Sequence, residues 1–287
     1  MFLSLSINEI TSWILLFSAI TTVFVNQKYG FVLLFCSILL AWMTSIINWL
    51  GVIVLGSGFL LAILCGNSQI FTVSNSTKIL LHYLLHSVVV IWAILLTLHV
   101  LPGLTNLLVL ENVHSGKDST AYSMYLNIDK AMVIFALILL MPTMLKKKKH
   151  QNEGRLVFFA IMSLLLLPLL GIYFGLIKPE LSFPCWIWLF VINNLLITCV
   201  AEEVFFRGYL QTILSRFGNY NSVIIAGLLF GLAHFAGGMA FIMLASIAGI
   251  AYGLIYLATG RLYLAILAHF SFNLYHLLFF TYPLLKG

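Results

Sequence analysis

The chain has 287 residues, 62% hydrophobic and 8% charged, with a formal net charge of +6. That balance excludes a soluble globular domain. Apolar runs long enough to cross about 30 Å of hydrocarbon, about 20 residues each, recur from end to end. Lipid admits only helices or closed barrels, and continuous runs without strict alternation choose helices, so the expected fold is an all-α polytopic membrane protein.

In chain order, spans are expected near 9–26, 30–48, 50–66, 79–102, 129–145, 156–176, 184–214, 221–236, 239–258 and 261–281. The second and third could form one bent pair, which gives eight to ten transmembrane helices. The opening MFLSLSINEI lacks the positive charge that precedes the apolar core of a secretory signal, so the first span is expected to stay in the protein. The four cysteines, Cys36, Cys65, Cys185 and Cys199, form no CxxC pair and read as small buried hydrophobes. His82 and His86 stand four apart, a spacing compatible with metal, but at the start of a span they read as interfacial polar residues.

The segment 103–128 is the longest loop; it is polar and carries no recognisable motif. The run KKKKHQNEGR at 146–155 is strongly basic and reads as a cytoplasmic topology anchor, with no nucleic-acid or other partner attached to it. Alternating outward from it puts Lys28, Lys78, Arg207, Arg216 and Arg261 on or near the cytoplasmic side, and Lys117, Lys130, Lys178 and Lys286 toward the other, with both termini outside. The localisation expected is an integral, multi-pass protein of a prokaryotic plasma (inner) membrane.

Chemistry concentrates in the C-terminal half. AEEVFFRGYL at 201–210 sets two adjacent glutamates in an apolar run. An ionisable group at bilayer depth costs at least about 2.5–3.5 kcal/mol, so each needs a partner or a task. Glu203 and Arg207 are four apart on one helical face and can pair, while Glu202, turned about 100° away, can point elsewhere. Asn194, Thr198 and Glu202 follow at intervals of four and form a polar stripe. His234 ends FGLAH one turn beyond Phe230, and His269 and Asn273 share a face in HFSFN. Counting about 1.5 Å per residue from the cytoplasmic helix ends puts Glu202, His234, His269 and Asn273 at similar depth, so three helices can bring them to one level. Gly227 and Gly231, and Gly249 and Gly253, are four apart and read as scaffold for close helix packing, with Phe230 as a wall of the site. His99, His114, His150 and His276 fit no pattern.

EEVFFR, FGLAH and HFSFN, in that order, resemble the EExxxR, FxxxH and HxxxN motifs of the CPBP (CAAX protease and bacteriocin-processing) family of intramembrane glutamic proteases, which includes Rce1-type CAAX endopeptidases. The resemblance covers about 155–287; residues 1–150 are read as N-terminal transmembrane helices of unknown role. It implies a catalytic helical bundle in the C-terminal half. Glu202 would act with His234 to activate a water, His269 and Asn273 would stabilise an oxyanion, and Glu203 and Arg207 would support the site. No metal or other cofactor is implied. The partners implied are the lipid bilayer and a membrane-associated peptide or protein tail whose peptide bond is hydrolysed. Two alternatives stay open: a zinc protease using the same residues, although no HExxH is present, and a non-proteolytic bacteriocin-immunity or peptide-binding protein. A transporter has less support, since no internal repeat or matched pair of broken helices is visible.

Overall fold

The computed structural model describes residues 5–66, 76–146 and 153–287, with side chains omitted at 76–82. His82, His150 and most of the lysine-run loop therefore lie outside the described residues, and the topology assigned to that loop rests on the sequence. The described chain is built of helices, with one two-stranded sheet. It separates into two compact units, residues 1–107 with 125–143, and residues 108–124 with 144–287.

The first unit contains α1 (Ile7–Val23), α2 (Gln27–Met43), α3 (Trp49–Gly66), α4 (Ser76–Thr97) and α5 (Ile128–Leu140). A reciprocal capping box between Ser6 and Glu9 starts α1. Polar side chains then bond neighbouring backbones, where lipid offers them no partner: Ser37 Oγ donates to the Ser12 carbonyl at 2.8 Å and Trp92 Nε1 to the Val54 carbonyl at 3.1 Å. Helix α5 is the core of this unit, buried on nearly all faces from Ile128 to Leu140.

The second unit contains α6 (Gly154–Tyr173), α7 (Ile187–Phe217), α8 (Asn219–Leu232), α9 (Gly238–Thr259) and α10 (Leu262–Phe279). Helix α7 is not uniformly α-helical: Asn194–Cys199 and Val204–Gln211 are π-helical turns on either side of the two glutamates. Such wide turns inside α-helices concentrate at functional sites. Helices α8 and α9 approach closely where glycines meet. A Cβ on Gly249 would stand 3.0 Å from the Gly227 carbonyl oxygen, which agrees with the scaffold reading of these glycines. Gly260, at φ 63°, supplies the left-handed residue that ends α9 and turns the chain into α10.

Strands β1 (Leu107–Val113) and β2 (Tyr122–Leu126) occupy the loop read as motif-free. The turn between them is fastened to the segment after α6. Both oxygens of Glu180 accept from it, Oε1 from the Asp118 N–H at 2.9 Å and Oε2 from the Ser119 hydroxyl at 2.7 Å. The C-terminal residues close over the same segment, since Glu180 N–H donates to the Phe279 carbonyl and Leu285 N–H to that of Leu176.

Observed helix ends lie within a few residues of the expected spans, except that α2, α4, α5 and α8 stop four or five residues earlier. By length and composition, five helices among the described residues suffice to cross a membrane: α3, α6, α7, Phe235–Thr259 (α9 with its preceding turn) and α10. The count of eight to ten is not reached on this measure, because α1, α2, the described part of α4 and α8 are shorter apolar helices. Large apolar side chains such as Phe158, Phe159, Leu166 and Leu169 on α6 point outward, as an integral membrane protein requires.

Candidate active site

Helix α7 brings Glu203 to full burial, and the i, i+4 spacing closes its pair with Arg207 at 2.9 Å, both side chains at 0% exposure. Arg207 is held from three further directions. Its Nη2 donates to the Gly249 carbonyl on α9 at 2.6 Å, and the guanidinium carbon lies 4.8 Å from the Phe230 ring centre and 5.4 Å from that of Tyr252. A guanidinium over aromatic faces away from water gains about 2 kcal/mol from cation–π attraction, which offsets part of its desolvation.

His269 joins the same carboxylate. Its Nδ1 is 2.9 Å from Glu203 Oε1, the oxygen that also accepts from Arg207. Because a carboxylate only accepts, Nδ1 carries the proton, and Nε2 is left pointing toward Glu202 Oε2 at 4.0 Å. Tyr252 stacks on the imidazole, ring centres 4.6 Å apart and planes 16° from parallel, while Phe230 meets it edge-on at 5.6 Å. Hydrogen bond, stack and edge contact together fix the ring in one orientation.

The sequence reading placed His234 inside a helix. Helix α8 ends at Leu232, and His234 sits in the turn before α9, partly exposed, because the chain reaches Gly237 and Gly238 there and leaves the helical path. Its Nδ1 donates to the Phe230 carbonyl at 2.8 Å, so the neutral ring presents an Nε2 lone pair. Asn273, one turn along α10 from His269, donates Nδ2 to Asn194 Oδ1 at 3.2 Å and faces Cys199 Sγ at 3.7 Å. Asn194 therefore belongs to the polar set, as its place on the α7 stripe suggested.

His234, His269 and Asn273 line one cavity of about 110 Å³. That is room for several waters, each of which occupies about 30 Å³ in the liquid. Its remaining wall is largely apolar, including Leu167, Ile177, Phe241, Leu244 and Phe272. Glu202 is not one of the residues lining this cavity; it lies 4.0 Å from His269 Nε2 and keeps 19% of its side chain exposed, against none for Glu203. Among the described residues, no group of three His, Cys, Asp or Glu side chains converges as a metal site.

Two participants had no sequence signal of their own. Tyr252 looks like one more aromatic in an apolar helix, although it stands beside Gly249 and Gly253, where small neighbours leave a ring room to lie flat. His276 lines the cavity one turn beyond Asn273, with Nε2 donating to the Thr281 carbonyl at 3.1 Å.

The family model described as Type II CAAX prenyl endopeptidase Rce1-like matches residues 184–275, a segment that contains all three motifs. No curated protein and no solved structure matches the chain.

Proposed function

Since residues 184–275 are an Rce1-like segment of the CPBP family, we propose that the protein is an intramembrane endopeptidase of glutamic type, which hydrolyses a peptide bond of a membrane-associated peptide or protein tail. The observation that carries this reading is the asymmetry of the two glutamates. Glu203 is fully buried and bound through one oxygen to both Arg207 and His269, whereas Glu202 stands beside His269 Nε2 with part of its side chain still exposed.

In this mechanism Glu202 and the Nε2 lone pair of His234 draw a proton from a water in the cavity while its oxygen attacks the substrate carbonyl carbon. His269 keeps its Nδ1–H on Glu203, which holds the ring with Nε2 turned toward the reacting centre, where a proton on Nε2 would serve the developing oxyanion. Asn273 has two amide protons; the one facing the weak sulfur acceptor of Cys199 is the one an oxyanion would attract. As the tetrahedral species collapses, the C–N bond breaks, the amine leaves with the proton taken from water, and the carboxylate is released. Well-placed general bases contribute about 10²–10⁴-fold and each oxyanion donor about 10²–10³-fold. Glu203, Arg207 and Tyr252 are positioning residues.

The test compares peptides released from membranes carrying wild type or Glu202→Gln, identified by mass spectrometry. Fragments that appear only with wild type, at equal amounts of folded protein and unchanged by a strong zinc chelator, are expected. Identical fragments from the variant would sink the reading, and a loss to chelator reversed by zinc would transfer the residues to a metalloprotease.

A further inference from the structure

A second space lies on the outside of the second unit. Helices α6 and α10 each pack on α9 and touch one another little, which leaves a groove of about 310 Å³ between them. It is lined by Ile161 and Leu165 on α6, Leu264 and Tyr275 on α10, and Ile255 and Thr259 at the end of α9. Ile161 and Leu165 are exposed, and both α6 and α10 are long and apolar enough to cross a membrane, so the groove faces lipid. Phe272 lines this groove and the catalytic cavity alike and therefore stands between the two.

The groove has a defined length and a charged end. From Leu264 to Tyr275 it follows three turns of α10, about 16 Å at about 1.5 Å per residue. That is half of the about 30 Å hydrocarbon core, the depth of one leaflet. Its volume is twice the about 150 Å³ that holds a benzene ring, enough for about a dozen chain carbons. Where α9 stops and α10 starts stands Arg261, whose N–H donates to the hydroxyl of Thr259 at 3.2 Å while its guanidinium donates to the Tyr263 hydroxyl at 3.0 Å. A guanidinium has five N–H donors, and among the described residues no carboxylate pairs with this one. At the start of α6 the exposed Glu153 and Arg155 cancel, which leaves Arg261 as the net charge beside the groove.

We propose that the groove holds one acyl chain of an anionic phospholipid, its phosphate on Arg261, as a resident lipid distinct from any substrate. Inside a bilayer the chain gains nothing from the hydrophobic effect, because lipid tails are as apolar as leucine. Selection comes from the fit of a chain into a groove of one leaflet's depth and from the positive charge at its end. A zwitterionic lipid offers the same chain, but the cation of its headgroup offsets the attraction. The chain lies on the far side of Phe272 from the cavity, so its binding does not depend on the protease reading.

The test places the full-length protein in phosphatidylcholine liposomes that carry a small fraction of a lipid with a photoreactive diazirine in one chain. The probe is phosphatidylglycerol in one set and phosphatidylcholine in the other, and labelled residues are located by mass spectrometry. Leu264, Ser271 and Tyr275, all groove residues, are expected to label about fivefold more with the anionic probe, the worth of one arginine at an anionic headgroup. Phe158 and Phe159, exposed on α6 outside the groove, should label equally with both. Arg261→Gln should bring the two probes level in the groove. Ser271→Trp, at an exposed groove position, should lower labelling of Leu264 and Tyr275 by either probe and leave Phe158 and Phe159 as they were. Equal labelling of the wild-type groove by both probes, or a preference that survives Arg261→Gln, would overturn the inference. So would a groove that stays unlabelled while Phe158 and Phe159 react, since a second copy of the chain would then cover it. Labelling requires no turnover, so Glu202→Gln should leave the pattern unchanged; failure of the protease reading would show in peptide release and not here.

Discussion

Each compact unit holds a histidine hydrogen-bonded to a buried carboxylate, and the two arrangements differ in what surrounds them. In the first unit His99 Nδ1 lies 2.6 Å from Asp129 Oδ2, with Asn106 Nδ2 donating to the same oxygen at 2.9 Å. Asp129 is in the first turn of α5, and its other oxygen accepts the Lys130 N–H at 2.8 Å, so the carboxylate serves to start a helix. His99 is 42% exposed and stands at φ 59° in the turn that ends α4. In the second unit the carboxylate is fully buried, the imidazole is stacked on an aromatic ring, a second glutamate lies beside its far nitrogen, and a cavity opens alongside. What separates the two is a second carboxylate next to the oriented ring and a cavity alongside it, and on the proposed function these, not the carboxylate–histidine bond alone, mark the site.

The sharpest way to break this comparison is to remove each imidazole in turn. His269→Ala is expected to lower peptide release by about 10²–10⁴-fold with the protein still in the membrane. His99→Ala should leave release unchanged and cost no more than about 1 kcal/mol, since water reaches the vacated position and Asn106 keeps its bond to Asp129. Equal losses of activity from both would mean that the first unit takes part in the chemistry.

Arg207→Ala should lower the yield of folded protein, because an unpaired buried carboxylate costs about 3–5 kcal/mol. Size-exclusion profiles and thermal unfolding in detergent would report it. Normal folding with activity selectively lost would move Arg207 from support into the reaction. Asn273→Ala is expected to retain the fold and lose about 10²–10³-fold in turnover, read as a fall in kcat with little change in KM.

The smallest effect concerns Asp118, which contributes charge without burial. The hydrogen bond from Lys178 holds its carboxyl below the ordinary 3.8 against an opposing desolvation, with attraction to Lys178, Lys117 and Lys286 adding to the lowering. A depressed folded value stabilises above the unfolded one, so this contribution is complete above about pH 4 and disappears as pH falls through the lower folded value. Asp118→Asn should match wild type in thermal unfolding below that window and fall only marginally beneath it at neutral pH, a difference that salt should erase.

The fold and the site were legible to different depths. Helices could be read because lipid demands long apolar runs and charge punctuates them; α8 ran short because its run, apolar throughout, hid the turn at Gly237 and Gly238. The hairpin was missed since LLVLENV and YSMYL are brief and each shows only weak alternation. Within the site, the pairing of Glu203 with Arg207 follows from spacing alone and is seen at 2.9 Å. The bond from His269 to Glu203 could not be read, because it joins residues 66 apart in sequence and depends on how α10 is rotated against α7. Tyr252 escaped for the same reason: stacking is a property of two helices, and periodicity describes one.

The contact at Gly249 has a mechanical consequence. The same glycine offers its carbonyl to Arg207 and lets the backbone of α8 lie against α9. A methyl group there would have to fit 3.0 Å from the Gly227 carbonyl oxygen, closer than a carbon and an oxygen comfortably come. The strain would be relieved by parting the helices, and parting them draws the Gly249 carbonyl off the guanidinium while shifting Phe230 from its place against His269. The distance between two helices and the aim of an imidazole are therefore coupled in this protein, so a substitution that neither adds nor removes a charge can detune the site as a loosened hinge misaligns a door with its latch.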